Sequence, residues 1–317
     1  MSQEGYAAYY KRRRGLSWDG CAVFVRRSKL EVVSYRTVEY FVGPCTSMDR
    51  DQIGQILRIR SKETRQEFIF ANTHLLFDPL RGDIKLGQLA MLIANIEDEL
   101  TKSRCPVILC GDFNIEPHSY IYKYIIESSE LSGQGLFGGP YVEADRILPP
   151  TTNIGRDSMF INNESYREPV NADCFTHPLR LASVYHHVSV NGESNFLTYT
   201  VAGLAVMFRS TFALRNSLDL QKQDNELKEI STYHREVANP DFLFYSVKQK
   251  LTTDSNALVL EDPELRLLRR LSLPGLLTMK KTCGPWPNRY VPSDHVPLVA
   301  DFILSNLERL GVSAIMS

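Results

Sequence analysis

The stretch Phe68-Ile69-Phe70-Ala71-Asn72-Thr73-His74, then Asp83 to Leu100, then Pro106-Val107-Ile108-Leu109-Cys110-Gly111-Asp112-Phe113-Asn114 decides the fold. Its first part is a short apolar run ending in polar residues, the pattern of a buried strand. In the second part the period changes. Leu89, Leu92, Ile93, Ile96 and Leu100 fall on one helical face, and Asp83 stands where an N-cap is expected. The third part is again short and apolar, and Gly111 closes it just before Asp112, Phe113 and Asn114. Polar residues are therefore predicted where a strand ends in a loop.

Upstream, Cys21 to Val25, the alternating Leu30-Val32-Ser34 and Ile56 to Arg60, with Arg58 and Arg60 on one face, read as further strands. Downstream, a second helix is expected from near His118 through Tyr120, Tyr124 and Ile125. Strands are expected at Phe242 to Val247, Ala257 to Leu260 and Leu298 to Leu304. Between them, at about 132–230, Gly, Pro, Asn and Ser clusters give no period, and segments of that length are functional, disordered or inserted. The expected organisation is one α/β domain over 1–317, with mixed sheets and an irregular insertion.

The 317 residues are 43% hydrophobic and 10% aromatic, enough for a sizeable core. Thirty-six Lys plus Arg against 37 Asp plus Glu leave a net charge of -1, so any polyanion site must be local. Candidates are Lys11 to Arg14, Arg26 with Arg27, and Arg266 with Arg269 and Arg270, although short charge runs are more often solvated faces. Six cysteines without a CxxC pair point to reduced thiols, no zinc site and no disulfide-linked partner. Met1 to Arg14 lacks a signal-peptide core, and the apolar Phe196 to Phe208 stops at Arg209, short of the ~20 residues that span a bilayer. A protein of the cytoplasm or nucleus, without a membrane partner, is expected.

Four groups put polar residues beside strand-like runs: Asn72-Thr73-His74-Leu75, Gly111-Asp112-Phe113-Asn114, Asp241 opening Phe242-Leu243-Phe244, and Ser293-Asp294-His295-Val296-Pro297. Carboxylates, amides and imidazoles at the ends of neighbouring strands converge readily. Phosphodiester cleavage needs that mixture: oxygen ligands for Mg²⁺, a base for the attacking water, and donors for the charge that develops. Singly, each group has a plainer reading. His74 alone is more often a structural histidine, and Gly-Asp-Phe-Asn alone an ordinary turn.

In this order the groups resemble the endonuclease/exonuclease/phosphatase superfamily. Asp19-Gly20-Cys21-Ala22-Val23-Phe24 and the run from Phe77 to Ala90, with Arg81-Gly82-Asp83-Ile84-Lys85 inside it, look like its Angel branch, related to cytoplasmic deadenylases and nocturnin. The likeness is strong over 15–130 and 231–303. It implies a DNase I-like, four-layer α/β/β/α sandwich of two mixed sheets with the site at one end. By the same resemblance His74 contacts the scissile phosphate, Asp112 orients or deprotonates water, and Asn114 holds a phosphate oxygen. Asp241 fixes the tautomer of His295. Asp294 helps hold Mg²⁺, for which Mn²⁺ is the alternative, and Asn72 joins His74 and Asn114 in substrate binding.

The resemblance also implies an early strand bearing an Asn and a Gln-Glu pair whose glutamate is the principal Mg²⁺ ligand. Only 18 residues precede Asp19, and the 15 positions from Glu4 to Asp19 leave no room for the intervening helix. The expectation is an incomplete domain lacking its first strands, with an unpaired edge or an exposed apolar face. Pro240 stands before Asp241 where the family carries an apolar residue, and Gly192 to Lys228 matches no family segment. Three functions follow from the resemblance. The leading one is a metal-dependent hydrolase of ester bonds at RNA 3′ ends, removing a terminal 2′,3′-cyclic phosphate or trimming poly(A). The second is an inactive RNA- or protein-binding module, and the third a lipid or inositol phosphatase.

Overall fold

The structure, a computed structural model, describes residues 4–44, 46, 48–78, 81–117, 119–127, 177–185, 188–189, 197–199, 205–206, 230–234, 237–248, 258–259 and 261–305. In chain order the strands are β1 (Tyr6–Arg12), β2 (Gly20–Arg26), β3 (Leu30–Glu39), β4 (Ile53–Ser61), β5 (Glu67–His74), β6 (Val107–Asp112), β7 (Leu181–Ser183), β8 (Val188–Ser189), β9 (Leu197–Tyr199), β10 (Ala205–Val206), β11 (Thr232–Tyr233), β12 (Val237–Ala238), β13 (Asp241–Ser246), β14 (Leu258–Val259), β15 (Leu265–Leu271) and β16 (Ala300–Leu304). The helices are α1 (Gly82–Lys102), α2 (Tyr120–Glu127) and α3 (Leu276–Thr282).

Six strands pair in the order β3-β4-β5-β6-β13-β7, and four more in the order β10-β9-β15-β16. Within the larger sheet β5 and β6 run parallel, which the α1 crossover between them allows, while their neighbours are antiparallel. This is the mixed sheet expected. Alternation along the strands explains the layers. Ile56, Ile69 and Ala71 share a core with Leu89, Leu92, Ile93 and Ile96 of α1, whereas Leu57 and Ile59 pack with Val23 and Val25 of β2. One face of the sheet therefore carries the helix and the other carries the β1–β2 hairpin. On β13, Phe242 and Phe244 meet Phe113 and Tyr122 of α2, with ring centroids 5.2–5.9 Å apart. Tyr245 instead meets Phe302 of β16 at 5.5 Å, so the second sheet reaches the first there.

Several expectations change in detail. Arg81 stands at the N-cap of α1 without a side-chain cap bond, and Asp83 lies in the first turn, where an acid suits the helix dipole. Asp83 holds the Arg81 guanidinium through bonds of 2.9 and 2.8 Å. The strand expected at Ala257 to Leu260 is β14, two residues long. Inside 132–230, Leu181–Ser183 is the edge strand β7 of the main sheet. Most of that segment, including most of 192–228, lies outside the described residues, as do His118, Cys45 and Cys174. Pro240 costs no ladder bond, because pairing begins at Asp241 and the Pro240 carbonyl accepts the Phe113 N–H at 2.9 Å.

Several members of the basic runs are engaged locally. Lys11 pairs with Glu39, Arg12 caps carbonyls of its own loop, Arg14 lies over the Phe41 ring, and Arg269 pairs with Asp301. Among the described residues four cysteines, Cys21, Cys105, Cys110 and Cys283, are free. Burial pushes the Cys21 and Cys105 thiols up to about 11. No helix among the described residues is long and apolar enough to cross a membrane. On the outer face of β1–β2, Tyr10 and Phe24 are exposed at 57% and 45%.

Candidate active site

Strand register builds the site. Across β5 and β6, His74 lies opposite Asp112, and across β6 and β13, Asp112 lies opposite Asp241. Three residues separated by up to 167 positions thus occupy one row at one end of the sheet. His295 joins through Thr232, which bridges to it. Its Nδ1 lies 2.8 Å from Asp241 Oδ2 and its Nε2 lies 3.9 Å from Asp112 Oδ2, while His74 Nε2 stands 3.7 Å from that same Asp112 oxygen. Asp294 Oδ2 is 4.0 Å from His295 Nε2. Asp112 is thereby flanked by two imidazoles.

The turn after β6 is held from beneath. Asn114 adopts φ +51, a conformation that asparagine tolerates. Its backbone N–H donates to Asp112 Oδ1 at 2.9 Å, and its Nδ2 donates to the Leu75 carbonyl at 3.0 Å. Lys85, on α1 and fully buried, donates to the Asn114 carbonyl at 2.7 Å. Burial drives the Lys85 ammonium down to about 8.

Electrostatics divide the titratable groups. Burial and then the Asp241 charge raise Asp112 to about 7. The hydrogen bond to Asp241 raises His295 to about 9, against the opposing effect of burial. Burial and then the Arg13 charge lower His74. Asp112 and His295 both bind protons more tightly folded than unfolded. The stability they contribute is complete below their ordinary values and disappears as pH rises through about 7 and about 9. His74 acts in the opposite sense, below its ordinary value of 6.5. Metal-free chain is therefore expected to melt at progressively lower temperature from about pH 6.5 to about pH 8, above which Lys85, lowered to about 8, acts in the opposite sense, read by calorimetry with a chelator present. A flat profile over that range counts against these assignments.

These groups line a cleft of about 770 Å³ together with Arg13, Gln52, Leu75, Phe77, Asn114, Thr232, His234, Pro240, Ser293 and Asp294. Asp112, Asp241 and His295 each offer a donor atom, all within 4.8 Å of one another. Asp241 Oδ2 already accepts from Ser231 and His295. That leaves Asp112 Oδ2, Asp241 Oδ1 and the Asp294 carboxylate, oxygen donors of the kind a hard dication takes while keeping most of its shell as water and substrate oxygen. Among the described lining residues the acids are aspartates. Glu4 is exposed at the start of β1, nine positions before Arg13 and so roughly 25–30 Å along an extended chain from the cleft.

The sequence-predicted His74, Asp112, Asn114, Asp241, Asp294 and His295 therefore meet in one cleft. Asn72 does not join them. It lies two residues back from the strand end, roughly 7 Å away, and its amide donates to Gln55 Oε1 at 3.4 Å. Arg13 comes from the basic run Lys11 to Arg14 singled out in the sequence, whereas His234 and Ser231 carry no signal that distinguishes them. Lys85 did carry one, a charge four positions before Leu89 on the apolar stripe of α1.

Comparison with known proteins agrees with this geometry. The model of the Endonuclease/Exonuclease/phosphatase family matches residues 2–306. Protein angel homolog 2 of Danio rerio is 33% identical over 95% of this chain and 52% of its own length. Protein angel homolog 2 of Homo sapiens is 32% identical over 95% of this chain and 56% of its own. The chain spans about half the length of these curated relatives. A crystal structure of ANGEL2, described as a 2′,3′-cyclic phosphatase and bound to adenosine-2′,3′-vanadate, superposes with a TM-score of 0.67 at 31% identity. It covers 96% of this chain and 76% of that one. That likeness gives the α/β mixed-sheet architecture its class, the DNase I-like four-layer sandwich. Motif order and strand register meet at the same residues, the family model spans nearly the whole chain, and the chain belongs to the endonuclease/exonuclease/phosphatase family.

Proposed function

We propose that this chain is a divalent-metal-dependent phosphoester hydrolase acting on RNA 3′ ends, with removal of a terminal 2′,3′-cyclic phosphate as its reaction. The observation that carries this reading is Asp112 set between two imidazoles, its Oδ2 3.7 Å from His74 Nε2 and 3.9 Å from His295 Nε2, in a cleft large enough for a nucleotide. A carboxylate so placed offers an oxygen that can accept a proton from a water in the cleft. The likeness to ANGEL2 supports the cyclic phosphate as substrate.

In this mechanism the water oxygen bonds to phosphorus as one ribose O–P bond breaks, and the water proton passes to Asp112. His295, held by Asp241 through Nδ1, presents Nε2 to the cleft and donates to the departing ribose oxygen. His74, lowered by burial and by Arg13, hydrogen-bonds a phosphoryl oxygen. Asp112 and Asp294 are the carboxylates that would hold a dication, which would supply Lewis-acid polarisation of the phosphoryl group. Complete removal takes two hydrolyses, ring opening and then release of inorganic phosphate.

A second reading, an RNA-binding module with little turnover, draws on the absence of glutamate from the described lining. Product analysis separates the possibilities. The purified chain is given a short RNA ending in a 2′,3′-cyclic phosphate, and a matching RNA with a poly(A) tail and free 3′ hydroxyl. Full-length RNA with a 2′,3′-diol plus inorganic phosphate is expected from the first, and no shortening of the second. Shortened RNA makes the activity exonucleolytic, and retention of both unchanged supports the binding module.

A further inference from the structure

The residue before β11 brings a hydroxyl to the C-terminal half of the site. Ser231 is fully buried, and its Oγ donates to Asp241 Oδ2 at 2.6 Å. The same carboxylate oxygen receives Nδ1–H of His295 at 2.8 Å. The Asp241 N–H lies 3.4 Å from Ser231 Oγ and points its donor there, so the hydroxyl lone pairs face the backbone and its proton faces the carboxylate. The rotor has one setting.

The Ser231 backbone is held on both sides. Its N–H donates to the Ala238 carbonyl at 3.1 Å and its carbonyl accepts from Val296 at 2.9 Å. Next to it, Thr232 Oγ1 donates to the Asp294 carbonyl at 2.7 Å, and Tyr233 N–H reaches the same carbonyl at 3.2 Å. One three-residue segment thus fixes the side chain of Asp241 and the backbone carrying Asp294 and His295. A carboxylate holding a single imidazole can rotate about its own axis. One held by a second, buried donor at the same oxygen cannot do so without stranding a polar group.

We propose that Ser231 is a positioning residue for His295: its hydroxyl locks the Asp241 carboxylate so that His295 donates from Nδ1 and turns Nε2 into the cleft. The inference rests on the reading that His295 serves phosphoester hydrolysis. Ser231 itself touches neither substrate nor metal.

The test is a double-mutant cycle on a short RNA with a 2′,3′-cyclic phosphate end, using Ser231→Ala, Ser231→Thr, His295→Ala and the double variant Ser231→Ala with His295→Ala. Losing a hydrogen bond to a charged group is expected to lower kcat by roughly 10–100-fold in Ser231→Ala, with KM within about twofold and Thr restoring most of the rate. On the His295→Ala background the same substitution is expected to cost nothing further, because the two act as a unit. An unchanged kcat, or an equal loss on both backgrounds, overturns the proposal. A crystal structure of Ser231→Ala supplies a readout that needs no activity. There the Asp241 carboxylate is expected to turn and the 2.8 Å contact with His295 to open, whereas both left in place overturn the proposal. If wild type and His295→Ala are equally inactive, the hydrolase reading fails and the crystal structure alone decides the role of Ser231.

Discussion

Gly111→Ala is expected to destabilise the chain by about 4 kcal/mol or more, among the largest effects of any single substitution. Gly111 sits at φ +144, a region that side chains rarely enter. A Cβ there would lie 1.9 Å from the Thr73 carbonyl oxygen and within 3.0 Å of the Thr73 backbone carbon and nitrogen. Thr73 cannot withdraw. It pairs with Gly111 across two central parallel strands, and its hydroxyl is tied to Tyr40 at 2.7 Å and to the Ile53 carbonyl at 3.1 Å. His74 and Asp112 follow these two residues, so any retreat also displaces the site. Denaturant titration at constant m-value measures the loss. Gly43→Ala, whose new methyl would meet only the Thr46 methyl at 3.8 Å, is expected to stay within about 0.5 kcal/mol of wild type.

Asp241→Asn is expected to lower kcat on the order of 10³-fold in protein that still folds, with some loss of melting temperature because the His295 imidazolium gives up its charged partner. The amide is the same size as the carboxylate, but it presents a neutral oxygen or an N–H to His295. In the first case the imidazolium loses the charge that holds it near 9. In the second the ring must accept at Nδ1, and its proton moves to Nε2, reversing the roles of the two nitrogens. Steady-state kinetics with a parallel melting curve tests this. A rate within tenfold of wild type removes Asp241 from the chemistry.

Local pattern in the sequence was enough for the strands that bury apolar faces and for α1, whose stripe runs from Ile84 to Leu100. It was not enough for β1 and β15. In Leu265–Leu271 the buried positions Leu265 and Leu267 alternate with Arg266 and Leu268, and the neighbouring arginines read as a charge run. The site residues were legible as types at strand ends, because Asp, Asn and His have little structural reason to cluster after apolar runs. Their convergence was legible only through family resemblance, since register across β5, β6 and β13 is set by pairing between distant segments. Asn72 shows the limit of motif reading. It belongs to the same tetrapeptide as His74, yet two residues along a strand carry it out of the cleft toward Gln55. Ser231 shows the converse, because nothing in Ile230-Ser231-Thr232 distinguishes a hydroxyl that orients a carboxylate from one in a turn. Geometry alone makes that distinction.

The central claim is that residues scattered from His74 to His295 form one hydrolytic site organised around Asp112. Its most direct measurement is release of inorganic phosphate from an RNA with a 2′,3′-cyclic phosphate end by the purified chain and by Asp112→Ala, with Mg²⁺, with Mn²⁺ and with chelator. Release by wild type that requires the cation and falls by on the order of 10³-fold or more in Asp112→Ala is the predicted result. Equal rates from the two proteins, with or without cation, would contradict it.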